Sequence, residues 1–480
     1  MFQLINSIVH EFRICFKRTK TWQWFLVIIM GFMLRYDHRG VTSIIAALRL
    51  KPKLYHTMLH FFRSAGYKIE ELYKKWIKVA INNGTIVRIA GRVVVLGDHI
   101  KISKEGRHMP EIQVLHQESD NSGKPEFIEG HCFAQVGAVM TNGHVSRNIP
   151  LMTQRQVSPP KREGKKKKDG DSLVVQMVKL IHETAKSIDE PVVAALDAYF
   201  SSESAWTTVD KTIMESGERL VEIVTRAQTN TVAFNIPEPP KVKKRGRPRK
   251  YGKKVVLYDL FSDTSKFVTT TMTMYGKRTE VKYLCMDLLW KPVKKLVRFV
   301  LVKTDDGYCV LMSTSLTLSP EDIIAIYALR FKIETSFDEQ KNEVGSFAYH
   351  FWTTALPKRK RWSKKIEQPS DPKLQKRIEK AKQATDSFVC LCTIATGILT
   401  IIAFSYNRKI WQQYPGWLRT VRGSIPSIAV IKETLAQGLP IFIKRRPDLP
   451  MCSIISDRQR EDKFLYDVVE IEEIVIENAS

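Results

Sequence analysis

Four side chains around residue 330 have the types and spacing to do chemistry on a phosphodiester: Tyr327, Arg330, Glu334 and Lys341. On a helix turning about 100° per residue, all four fall within roughly 60° of one another. One stripe then carries an aromatic hydroxyl, a guanidinium, a carboxylate and an ammonium. The cations suit phosphate, and the phenol can stack on a base or bond a phosphate. The carboxylate offers hard oxygen to a divalent ion. The competing reading is a solvated face with an Arg330–Glu334 pair at i, i+4.

The element that must position them is predicted as one helix from about Ser319 to about Val344. Ser319 is placed to cap it, Pro320 fits the first turn, and Glu321 and Asp322 face the positive end of its dipole. Ile323, Ile324, Ile326, Leu329, Ile333 and Phe337 occupy other faces and can hold it against a core. The pattern Y-x2-R-x3-E-x6-K over these residues resembles the signature of bacterial insertion-sequence transposases of the DDE, cut-and-paste class. That resemblance implies a ribonuclease-H-like core with a triad of carboxylates.

Bulk properties agree with a DNA partner. The chain has 480 residues, 76 Lys plus Arg against 50 Asp plus Glu, and a formal net charge of +26. Such an excess favours a polyanion, with a ribosomal or membrane-surface protein as the competing class. The seven cysteines show no zinc spacing and read as free thiols in a reducing cytoplasm. Trp22 to Leu34 is too short to span a bilayer. Phe388 to Phe404 is interrupted by Thr393, Thr396, Gly397 and Thr400 and reads as a buried helix, so no membrane partner is expected.

Taken in order, residues 1–88 read as a helical, DNA-binding domain. Val41 to Leu50 and Tyr55 to Ser64 flank Lys51-Pro52-Lys53 as a candidate helix-turn-helix. Residues 89–229 read as the first part of an α/β core. Arg92 to Leu96 is a strand with Asp98 at its end, and Phe127 to Met140 and Val145 to Met152 form a hairpin through Asn142-Gly143. A helix follows from Ser172 to Ser187, then a strand from Pro191 ending at Asp197, then another helix and a strand from Leu220 to Thr225. This order is that of a ribonuclease-H-like mixed sheet with two acids on neighbouring central strands.

Residues 230–318 read as an all-β insertion preceded by a basic segment. Arg245 and Arg247 there form an Arg-Gly-Arg-Pro core like a minor-groove AT-hook, or a flexible basic linker. Residues 319–406 complete the core, and 407–480 read as a small helical dimerisation or regulatory region. Trp206, Trp290 and Tyr308 are candidates to hold an extruded base, but a core aromatic is the favoured reading for each. Lys165 to Lys168 and the cations of Pro357 to Lys382 are further candidate DNA contacts.

The resemblance implies Asp98, Asp197 and Glu334 as catalytic, metal-binding residues for Mg²⁺, with Mn²⁺ as substitute, and Tyr327, Arg330 and Lys341 as DNA contacts. Asp338, Asp210, Asp259 and Asp263 are the rival acids. The implied activity is cleavage of insertion-sequence ends and joining to target DNA. The implied partners are double-stranded DNA, as inverted-repeat ends and target, and a second copy in a homodimeric synaptic complex in the bacterial cytoplasm. A catalytically inactive DNA-binding relic and a nuclease that cuts without joining are the alternatives.

Overall fold

The fold is taken from a computed structural model, which describes the chain except residues 39, 118–122, 124, 160–170, 215–216, 240–248, 275, 364–368, 419–422, 424 and 461–480. Its core is built on apolar β-branched runs, which sit best on a pleated surface buried on both faces. These are β1 (Arg92–Ser103), β2 (Phe127–Thr141), β3 (Ser146–Gln156), β4 (Val192–Leu196) and β5 (Val221–Arg226). They lie in the order β3-β2-β1-β4-β5. β2 is antiparallel to β1 and β3, while β1, β4 and β5 run parallel. The helix α3 (Leu173–Ile188) makes the crossover between β3 and β4, with Ser172 Oγ accepting from Val175 N–H at its N-cap. This mixed sheet with helices is consistent with a ribonuclease-H-like fold of the DDE kind.

The sheet does not stop at β5. Strands β6 (Val268–Met274), β7 (Lys277–Trp290), β8 (Lys295–Thr304) and β9 (Gly307–Ser313) continue it as antiparallel neighbours. β9 hydrogen-bonds to β5 through Leu311↔Arg226 and Ser313↔Val224. The strands of residues 230–318 are therefore laid onto the edge of the core sheet. The run predicted from Lys254 to Phe261 is a strand only to Val256, after which Leu257–Ser262 winds into a 3-10 turn.

Two apolar layers cover the two faces. Val93, Val95, Val192, Ala194 and Leu196 point into one large cluster. That cluster also contains α1 (Thr19–Leu34) and α2 (Ile69–Asn82) from the N-terminal region. From beyond the sheet it takes in much of the Pro372–Ser405 helix. Val94, Leu96, Val193, Ala195 and Val224 point the other way, into a smaller cluster with Ile323, Ile324, Ile326, Ile333 and Phe337. Alternation along the strands thus assigns each core residue to one layer. The Pro372–Ser405 helix is long and apolar enough to cross a membrane, but 94% of its apolar window is buried inside the protein. Gly397 lets it approach Trp76, whose ring a Cβ would meet at 2.0 Å.

Three sequence expectations differ in detail. Asp98 does not end its strand: β1 runs on to Ser103 because pairing with β2 continues through Asp98↔Gln135 to Ser103↔Gly130. The helix predicted over 319–344 is not continuous. It divides into α4 (Pro320–Leu329), α5 (Lys332–Asp338) and a π-helical turn, Glu339–Val344. The helix after β4, expected around Glu203 to Ser216, spans only Glu203–Val209. The two short helices Thr42–Ala47 and Tyr55–Phe62 lie where the helix-turn-helix was expected.

Candidate active site

β1 and β4 pair in parallel with Leu96 opposite Ala195. Two residues further along each strand stand Asp98 and Asp197, in the same register and on the same face as Leu96 and Ala195. β4 ends at Leu196. Asp197 turns at once into a 3-10 helix, its Oδ1 accepting from Tyr199 N–H at 3.0 Å. The face they share is the one covered by α4 and α5. Two carboxyl groups are thereby set side by side under a helix layer.

That layer is anchored at its start by the predicted cap, Ser319 Oγ accepting from Asp322 N–H at 3.0 Å. Tyr283 of β7 donates its hydroxyl to Glu321 in the first turn. Between α4 and α5 the backbone tightens into i→i+3 bonds, Arg330 N–H to Tyr327 O and Glu334 N–H to Phe331 O. The stripe survives this break over its first three members. Arg330 Nη1 lies 3.3 Å from Asp98 Oδ2, and its Nη2 lies 2.6 Å from Glu334 Oε1. One guanidinium thus joins an acid of the sheet to the acid of the helix, across 232 residues of sequence.

The electrostatics agree with this crowding. Burial pushes the Asp98 carboxyl up to about 7, and Asp197 and Glu334 push in the same direction. The His99 backbone N–H, 2.7 Å from Asp98 Oδ1, and the Arg330 guanidinium oppose them. Burial also raises the Tyr327 phenol to about 12, with Arg330, Arg226 and Asp197 all within electrostatic reach. Burial works against the charge of Arg330, but Asp98, Tyr327 and Glu334 outweigh it and raise its pKa.

Arg226 was not anticipated from the sequence. It ends β5, and because Leu196 pairs with Thr225, Arg226 stands beside Asp197 in the next register position. The available signal was that Val221 to Thr225 is an apolar strand ending in a cation, as Pro191 to Leu196 ends in an acid. Lys341, in contrast, is exposed on the π turn. A turn closing i to i+5 advances less per residue than an α turn, so Lys341 drifts from the stripe that holds Tyr327, Arg330 and Glu334.

The far end of this helix layer is held by cations from distant parts of the chain. Arg35, fully buried, donates from Nε and Nη2 to Val344 O at 3.1 and 2.8 Å and from Nη2 to Gly345 O at 2.8 Å. Its Nη1 reaches Gly40 O and Ser43 Oγ, and its plane lies over Phe32 and Phe388. Lys432 bonds Glu343 O, and His38 Nε2 is 3.3 Å from the same oxygen. Cations at a helix C-terminus satisfy its orphan carbonyls and its dipole together. Gly345 closes the turn at φ +71°.

Among the described residues no three His, Cys, Asp or Glu side chains are drawn into a ready-made metal cage. Arg330 sits between Asp98 and Glu334 in the arrangement seen here. The donor set nevertheless fits a hard divalent cation: carboxylate oxygens gathered close enough that Asp197 and Glu334 help burial raise the pKa of Asp98. Two of the three candidate base-holding aromatics take the core position that is the favoured reading for each. Trp206 and Trp290 are buried, 4% and 6% exposed, and pack edge to face at 5.3 Å in the core. Tyr308 is exposed but rests on Phe261 at 4.7 Å. Arg245 and Arg247 lie outside the described residues, as do Lys165 to Lys168 and residues 461–480 of the C-terminal region.

In comparison with known families, the model of a family described as DDE superfamily endonuclease matches residues 11–282. The matched stretch contains Asp98, Asp197 and Arg226 and ends before the helix that bears Glu334. No curated protein matches the chain.

Proposed function

As the chain belongs to the DDE superfamily endonucleases, we propose that it is a metal-dependent DNA transposase that cleaves insertion-sequence ends and joins them to target DNA. The observation that carries this reading is the shared register of Asp98 and Asp197 beneath the Arg330–Glu334 pair. Asp98, Asp197 and Glu334 are the residues that would hold the ions. Divalent ions there, Mg²⁺ or Mn²⁺, supply activation of a water or 3′-hydroxyl and stabilisation of the leaving oxygen.

The rest of the work falls to the chain itself. Arg330, Arg226 and Tyr327 form one side of the site, and they bind and orient the phosphate that lies against the acids. Arg330 neutralises Asp98 and Glu334 until substrate and ions arrive, then turns to the phosphate. Lys341 contacts DNA from the outer surface of the same helix layer, and the Arg245–Arg247 segment adds a groove contact. Joining by transesterification conserves the number of phosphodiester bonds and needs no ATP. Two ends must be cut together, so the working unit is a homodimer or larger complex on DNA in the cytoplasm. The division at residues 88, 229, 318 and 406 belongs to the same reading.

The test uses DNA carrying the inverted repeats that flank the gene, with Mg²⁺ or with EDTA, and the wild type beside Glu334→Gln. Joined products that need the ion and vanish in the variant support the transposase. Cleavage without joining points to the nuclease. Binding by folded wild type with no cleavage leaves a DNA-binding relic.

A further inference from the structure

After β1 leaves Asp98 it runs five more residues to Ser103, roughly 17 Å along the strand at about 3.4 Å per residue. At that end an arm of chain, residues 347–363, is docked onto the segment that follows β1. Lys104 Nζ holds Phe347 O and Tyr349 O at 2.6 and 3.1 Å and lies 4.1 Å from the Tyr349 ring centroid. Thr353 N–H bonds His108 O, and Arg359 N–H bonds Arg107 O. Arg359 pairs with Glu129 of β2, which also accepts from Trp362 N–H at 2.6 Å. The arm is fixed, and its outer surface is set by that fixation.

Two tryptophans stand on this surface. Trp352 and Trp362 are each 55% exposed, against single-digit exposure for the core tryptophans 76, 206 and 290. Trp362 is also held at φ +62°, a left-handed conformation that costs a bulky side chain energy and persists only where its surroundings impose it. Here the Glu129 carboxylate imposes it. Exposed cations flank the tryptophans along the arm, Lys358, Lys360 and Arg361. The helix Pro372–Ser405 that follows turns Leu374 and Ile378 toward the arm's Ala355 and Leu356 and leaves Lys373, Lys376 and Lys380 exposed on its other side. Among the described residues, three acids of this region are committed elsewhere: Glu129 to Arg359, Glu379 to Lys382, and Asp371 to the N-cap of that helix.

Exposed aromatic faces interleaved with cations match a single strand whose bases are unstacked, since every base offers a face to an indole and the cations track its phosphates. A fully paired duplex offers phosphates but no free base face. We propose that this surface is a site for an unpaired DNA strand beside the cut. Phosphates there rest on Lys358, Lys360 and Arg361, and bases stack on Trp352 and Trp362. The inference rests on the proposed DNA cleavage, but its test does not require cutting.

The test uses the Glu334→Gln protein and repeat-end DNA with 2-aminopurine placed in turn at each of the first several positions outside the scissile phosphate, in a paired or an unpaired flank. Affinity is read by anisotropy and stacking by quenching of the 2-aminopurine. The double substitution Trp352→Ala/Trp362→Ala is expected to weaken binding of the unpaired flank at least tenfold, abolish its quenching, and change the paired duplex less than twofold. Trp362→Phe is expected to keep most of the quenching. Lys358→Gln/Lys360→Gln/Arg361→Gln is expected to flatten the salt dependence for the unpaired flank. Equal losses on both DNAs, or no loss on either, with an unchanged unfolding midpoint, overturn the proposal. Because binding and quenching are read without cleavage, a wild type that fails to cut sinks the transposase reading without deciding this one.

Discussion

Asp98→Asn is predicted to stabilise the protein above neutral pH and to leave it unchanged in acid. The native carboxyl titrates near 7, against an ordinary 3.8. Its native form therefore holds a proton that the unfolded form has already released. At 1.4 kcal/mol per tenfold, the difference comes to about 4 kcal/mol of native-state cost, absent below pH 4 and fully present above pH 7. Unfolding stability attributable to this group thus falls as pH rises through that window. Asparagine keeps an oxygen for the His99 N–H and removes the charge that burial, Asp197 and Glu334 oppose. The assay is denaturant unfolding in EDTA at pH 5 and pH 8. The variant should exceed the wild type by up to about 4 kcal/mol at pH 8 and by under about 2 kcal/mol at pH 5. Added Mg²⁺ should raise the wild type at pH 8 and do little for the variant. A variant destabilised equally at both pH values would show that Asp98 is a structural ion-pair partner of Arg330 rather than a strained ligand, and the argument for its site would fall.

Arg35→Met leaves the Val344 and Gly345 carbonyls buried without donors, so it should cost more than about 3 kcal/mol in thermal or chemical unfolding. Gly345→Ala should cost more than about 1 kcal/mol, because φ is +71° and its Cβ would come within 2.5 Å of His38 Cδ2 and 2.8 Å of Arg35 Nη2. Arg226→Gln should raise KM for DNA and reduce the salt slope of binding by about one, with the melting temperature held. Trp206→Phe should lower the melting temperature and leave DNA affinity unchanged, as befits a core ring packed on Trp290.

Much of the sheet was legible because its strands alternate or run apolar between clear turns. Val221 to Thr225 and the Asn142-Gly143 hairpin needed no tertiary knowledge. The order of elements then placed Asp98 and Asp197 on neighbouring strands. Where β1 ends was not legible, since an isolated Asp after Gly97 reads as a turn. It is the pairing with β2 that carries the strand onward. The break between Leu329 and Lys332 and the π turn were hidden for a related reason. Residues 319–344 have the periodicity of one α-helix, and the change of winding accompanies carbonyls gripped by Arg35 and Lys432, which lie far away in sequence. Arg226 was overlooked because its position has meaning only beside Asp197. Trp206 and Trp290 could not be separated from Tyr308 as base-holding candidates because aromatic type says nothing of burial, although a core position was the favoured reading for each.

The grip on residues 343–345 also sets a schedule for the growing chain. Arg35 waits 309 residues for its carbonyl partner, and Glu343 then waits 89 more for Lys432. The last described stretch closes back on the first: Gln459 bridges to Leu50, and Arg458 bonds Gln23. The helix layer that brings Glu334 to Asp98 is therefore held at both ends only after Lys432 has emerged from the ribosome. A nascent chain carries both sheet acids long before it carries the layer that covers them.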